Sequence, residues 1–72
     1  MSTVVALGDD HRLEGYALAG ATVVHAATDD QVRRTWHALG SDVGLVVLDR
    51  RAADAIQSVR DERPDVLTAV LP

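Results

Sequence analysis

Four short apolar runs, Thr3–Leu7, Thr22–Ala26, Val43–Leu48 and Val66–Leu71, alternate with three polar stretches of helical periodicity. That alternation constrains the fold more than any other feature of the chain. Continuous apolar runs of this length read as strands buried on both faces. Strands separated by helices cannot pair as tight hairpins, so they lie parallel and are joined by crossovers. Crossovers of this kind are right-handed in about 98% of cases.

The pattern therefore predicts one α/β domain over residues 1–72, a small Rossmann-like (flavodoxin-like) three-layer arrangement. Its sheet has four parallel strands in the order 2-1-3-4, with three helices. Local signals agree. Gly8-Asp9 turns the chain out of the first strand, and Asp9 or Asp10 caps the helix that follows. Leu13, Tyr16 and Ala17 recur on its inner face, Gly15 is expected to let it lie close on the sheet, and Gly20 stops it. The distance from Gly8 to Gly20 leaves room only for an unusually short helix.

Thr28-Asp29-Asp30-Gln31 reads as a capping box, with acidic residues in the positively polarised first turn. Val32, Trp36 and Leu39 face inward from that second helix, which Gly40 ends. A third helix is expected from about Arg51 to Asp61, with Ala52, Ile56 and Val59 inward and Pro64 forbidding its continuation. In the 2-1-3-4 order the first helix lies alone on one face and the other two on the opposite face.

The third and fourth strands are then uncovered on the first helix's side. The side chains left there are either Val46, Leu48, Val66, Thr68 and Val70, or the alternating set Val43, Leu45, Val47, Leu67, Ala69 and Leu71. The hydroxyl of Thr68 favours the first set. An uncovered apolar strip of this kind marks a partner surface or a contact between copies of the chain.

Composition excludes several function classes. The chain has seven Arg, nine Asp, two Glu and a net charge of −4, which opposes nucleic-acid binding through a basic surface. It contains no lysine, so Schiff-base chemistry and a P-loop lysine are excluded. With no cysteine there is neither a disulfide nor a thiolate metal site. The amino terminus lacks a signal peptide's basic segment, and no apolar run is long enough to insert in a bilayer. A cytoplasmic protein is expected.

The sharpest chemical candidate is a trio of carboxylates. Asp9 and Asp10 end the first strand and Asp49 the third, so the three meet at the carboxyl edge, where open α/β sheets bind ligands. Such a trio could hold Mg²⁺ or resemble the acidic pocket of a receiver domain. The missing lysine, the missing fifth strand and the short first helix oppose the receiver reading, and helix capping accounts for the aspartates. No G-x-G-x-x-G or P-loop pattern occurs. His11, His25 and His37 lack metal-ligand spacing, and Ser2, Ser41 and Ser58 lack His/Asp partners. Arg33-Arg34 and Arg50-Arg51 read as solvated helix faces, and Trp36 reads as core. No catalytic set, metal site or cofactor emerges.

The ungapped pattern Ala6-Leu7-Gly8-Asp9, five residues, then Gly15-Tyr16-Ala17-Leu18-Ala19-Gly20 resembles the F subunit of the archaeal (A-type) and vacuolar (V-type) ATPase/synthase. Two further stretches look like the same family. One is Asp42-Val43-Gly44-Leu45-Val46-Val47-Leu48; the other is the arginine- and alanine-rich third helix leading to a strand that ends in Pro72. The resemblance implies a non-catalytic component of the central rotor stalk that binds no nucleotide and docks on the coiled-coil D subunit. It also implies a place on the cytoplasmic face of the membrane, without direct insertion. Family members commonly continue beyond the last strand, so a short form lacking the regulatory carboxyl-terminal tail is expected. The alternatives are a degenerate receiver-like signalling or protein-interaction domain, and a small homo-oligomer held together by the uncovered strip.

Overall fold

The computed structural model describes residues 2–72. Its strands are β1 (Thr3–Gly8), β2 (Thr22–His25), β3 (Val43–Leu48) and β4 (Leu67–Val70). All pair in parallel, in the order β2-β1-β3-β4. The expected α/β architecture is the one observed. Its helical layers are a 3₁₀ helix (His11–Ala19), α1 (Asp29–Ala38) and α2 (Arg50–Ile56), followed by a single 3₁₀ turn (Arg60–Glu62).

The first helix is short for a local reason. Asp10 caps it by accepting the Arg12 N–H at 2.9 Å. Gly20, at φ +96°, closes it with Gly20 N–H to the Ala17 carbonyl and Ala21 N–H to the Tyr16 carbonyl. Three residues per turn, rather than 3.6, bring Leu13 and Tyr16 toward the sheet and leave Ala17 exposed. The expected α-type spacing is corrected at Ala17. Gly15 departs further from expectation, because it is exposed and a Cβ there would meet nothing within 4 Å. It does not bring the helix close to the sheet.

The capping box of α1 forms as read. Thr28 Oγ1 accepts the Gln31 N–H at 3.1 Å, and Gln31 Oε1 accepts the Thr28 N–H at 3.3 Å. The carboxyl end of α1 is held by a residue remote in sequence. The Arg63 guanidinium donates to the carbonyls of Trp36, Leu39 and Gly40 at 3.2, 2.8 and 3.3 Å. The third helix is shorter than expected: α2 ends at Ile56, and tight i to i+3 bonds carry the chain onward, among them Val59 N–H to the Ile56 carbonyl at 2.9 Å. The Trp36 indole N–H donates to the Val59 carbonyl at 3.3 Å, pinning the chain where the helix breaks.

Two cores sandwich the sheet. Under α1 and α2 lie Val5, Leu7, Val32, Trp36, Val46, Leu48, Ala52 and Ile56, with Val66 at the approach to β4. Under the 3₁₀ helix lie only Ala6, Leu13, Val47 and Leu71, with Val4, Tyr16 and Val23 packed against them.

This division corrects the expected open strip. Val46, Leu48 and Val66 are buried on the covered face, and Thr68, on the same side, is half-buried. Val70 is 46% exposed at the sheet edge. The open face carries the alternating set instead: Leu67 is 70% exposed, Ala69 is exposed and Leu45 is half-buried. Within that set Val43 is an exception, because it belongs to the covered core. A single threonine on an edge strand is a poor guide to which face is wet. The face is set by the side on which the crossovers place α1 and α2.

Candidate functional site

Two regions concentrate the residues singled out in the sequence: the carboxyl edge of the sheet and the open strip over β3 and β4. At the carboxyl edge Asp49 is 5% exposed, and both of its oxygens accept backbone N–H groups. Oδ1 accepts Ala52 N–H at 2.8 Å, capping α2. Oδ2 accepts the N–H groups of Asp9 and Asp10 at 2.9 and 3.1 Å, tying the exit of β1 to the exit of β3.

Gly8 makes this approach possible. Its φ of +149° disfavours side chains, and a Cβ would lie 2.5 Å from the Asp49 Cγ. Burial pushes the Asp49 carboxyl up, but the N–H groups of Ala52, Asp9 and Asp10 together outweigh it and hold its pKa below the ordinary value.

The neighbouring carboxylates turn elsewhere. Asp10 receives Arg12 Nε at 3.2 Å and Nη2 at 2.9 Å. These bonds, with the Arg12 backbone N–H, lower its pKa to about 2. Arg12 Nη1 also donates to the Pro72 carbonyl at 3.2 Å, joining the start of the 3₁₀ helix to the residue beyond Leu71. Asp9 Oδ2 faces Arg51 Nη2 at 3.5 Å, and the same nitrogen donates to the Ala26 carbonyl at 3.2 Å.

Asp9, Asp10 and Asp49 are therefore neighbours at the carboxyl edge, with the Asp9 side chain beside that of Asp49, while Asp10 is turned to Arg12. No group of three or more His, Asp or Glu among the described residues has the geometry of a metal site. The capping reading describes Asp10 and Asp49; Asp9 is an ion-pair residue rather than a cap. The three histidines sit apart, each near a different acid: His11 with Asp10 at 3.8 Å, His25 with Glu14 at 3.0 Å and His37 with Glu62 at 3.1 Å. The described residues enclose no pocket.

The open strip has the opposite character. Paired register sets Val4, Leu45 and Leu67 in one lateral row and Ala6, Val47 and Ala69 in the next. In each row the β4 residue is exposed, whereas its neighbours on β1 and β3 are half-buried in the first row and buried in the second. Leu71, farther along, is buried against Leu13 and Val47, so the strip opens toward the amino edge of the sheet. Leu18, on the 3₁₀ helix, is 94% exposed. In the sequence Leu18 stood out only as part of the Leu18-Ala19-Gly20 motif. The roles of Arg12 and Arg63 were not legible at all, since their partners are remote in sequence.

No helix among the described residues is long and apolar enough to cross a membrane. No individually curated protein matches the chain. The family of the ATP synthase (F/14-kDa) subunit matches residues 4–72, from the first strand to the last residue. The stretch covered includes Gly8, Asp49, the glycine-closed 3₁₀ helix and the open strip, so the chain belongs to that family, a component of V/A-type ATPases.

Proposed function

We propose that this protein is a non-catalytic component of the central rotor stalk, which binds the coiled-coil D subunit of that stalk and helps couple ATP hydrolysis or synthesis to ion movement. The observation that carries this reading is the apolar strip of Leu45, Leu67 and Ala69, uncovered on a parallel sheet of a kind that buries both faces. Membership of a multisubunit ATPase family agrees with a protein partner for such a strip. The carboxyl edge supports the non-catalytic part of the reading, because both Asp49 oxygens are engaged by backbone and the neighbouring acids by arginines. The acidic net charge agrees with protein partners rather than nucleic acid. As part of the complex the chain would sit on the cytoplasmic face of the membrane.

Co-expression with the coiled-coil subunit of the same ATPase tests the proposal. A stable one-to-one complex that neither component replaces by self-association is the expected result, together with no heat of ATP binding to the isolated chain. Failure to form that complex, or stoichiometric nucleotide binding, would overturn it.

A further inference from the structure

Strand β4 is held in the sheet by its ends. None of Leu67, Thr68, Ala69 and Val70 is buried, and none belongs to either core. Among the described residues the strand pairs with β3 alone. From Arg60 to Pro72 only Val66 and Leu71 are buried, one just before the strand and one just after it.

The other edge strand is built differently. β2 packs Val23 against the core under the 3₁₀ helix and Val24 against the core under α1 and α2. Its own side chains lock it on both faces. In place of such residues β4 has an arginine at each flank. Before the strand, the Arg63 side chain is 16% exposed and grips the three carbonyls at the carboxyl end of α1. Its neighbour Glu62 meets His37 of α1 at 3.1 Å. Beyond the strand, Arg12 donates to the Pro72 carbonyl at 3.2 Å.

We propose that β4 is a releasable strand, which leaves β3 as a unit when its two arginine clasps let go, while the other three strands and the helices stay folded. Segments with few buried apolar contacts and exposed backbone bonds lie at the low-stability end of a fold. The Arg12 bond is exposed, so water replaces it at little net cost. In the closed state Leu67 and Ala69 stand beside Leu45 in the open strip. In the open state they leave it, and the outer backbone edge of β3 is freed from Leu45 to Leu48. The fold therefore carries a device that assembles or dismantles its own strip. Release requires no partner, so it stands or falls apart from the stalk reading.

Amide hydrogen exchange of the full chain, read by NMR, compares two equivalent bonds. The Leu71 N–H donates to the Leu48 carbonyl at 2.8 Å just past β4, and the Ala26 N–H donates to the Gly8 carbonyl at 2.9 Å just past β2. Both residues are buried. The protection factor at Leu71 should be lower than that at Ala26 by on the order of tenfold or more. Arg12→Gln and Arg63→Gln should each widen that gap. Val47 and Ala69 are register partners on β3 and β4, and the chain has no cysteine, so Val47→Cys with Ala69→Cys can cross-link the two strands. Neighbouring strands about 4.8 Å apart are within the span of a disulfide. Oxidation of that variant should raise protection at Leu71 to the level of Ala26, and reduction should restore the gap.

Equal protection at Leu71 and Ala26, falling together in urea, would overturn the proposal, because β4 would then open only with the whole domain. A gap that persists in the oxidised variant would overturn it too, since exchange at Leu71 would not need the strand to leave. Gaps unchanged in both arginine variants would overturn the clasps.

Discussion

On one face of the sheet α1 and α2 draw Val24, Val5, Val46 and Val66 into a single core, reaching across from β2 to the approach to β4. On the other a nine-residue 3₁₀ helix gathers Ala6, Leu13, Val47 and Leu71 and leaves Leu45, Leu67 and Ala69 short of cover. The sheet is the same and both faces carry apolar side chains, so the difference lies in the cover. Two α-helices with capped ends make one face the stabilising core. The other face is finished only beside the short helix, and its open part is available to another molecule.

Substitutions on the two faces should therefore behave differently. The largest effect is expected at Trp36, fully buried under α1 and bonded to the Val59 carbonyl. Trp36→Ala should cost about 3–5 kcal/mol in urea unfolding, enough to unfold much of so small a domain. A loss below about 1 kcal/mol would show that the two cores are not unequal after all.

Asp49→Ala comes next. It removes the cap of α2 and leaves the N–H groups of Asp9 and Asp10 without their acceptor, at a cost of about 1–3 kcal/mol. The same residue shapes the acid limb of stability. Because the folded-state pKa of Asp49 lies below its ordinary 3.8, its contribution is complete above that value and is lost as pH falls through the folded pKa. Asp10, lowered to about 2, acts in the same direction. Urea midpoints measured from neutral pH downward should fall below about pH 4, and Asp49→Asn should flatten that limb. A parent chain with no acid dependence would show that these bonds persist in the unfolded ensemble.

The smallest effect is expected on the open face. Leu67→Ser should change stability by no more than about 0.5 kcal/mol, since the side chain is already 70% exposed. A large loss there would mean that the strip is part of the core and would erase the contrast between the faces.

Much of this fold is legible residue by residue. The capping box at Thr28 and Gln31, the glycine closure at Gly20 and the apolar runs of β1 and β3 are local signals, and each appears where its pattern stands. Legibility fails where a remote partner decides. The periodicity of Ile56 and Val59 reads as one continuing helix, but the Trp36 indole holds the chain in a tighter turn at Val59. Thr68 points to the wrong face because edge strands tolerate a hydroxyl on either side. Gly15 reads as a close-packing residue, whereas the structure places open space beside it.

By itself the sequence determined that four strands and short helices alternate, that the sheet is parallel, and that Gly8, Asp49 and Gly20 stand at its turns. These follow from backbone preferences and hydrophobic period, which act over a few residues. Only the tertiary structure decided which face is bare, where α2 stops, and that the carboxylates at the sheet edge are consumed by backbone N–H groups and arginines. Those outcomes depend on distances between residues up to sixty positions apart, as between Arg12 and Pro72, and no local pattern encodes such distances.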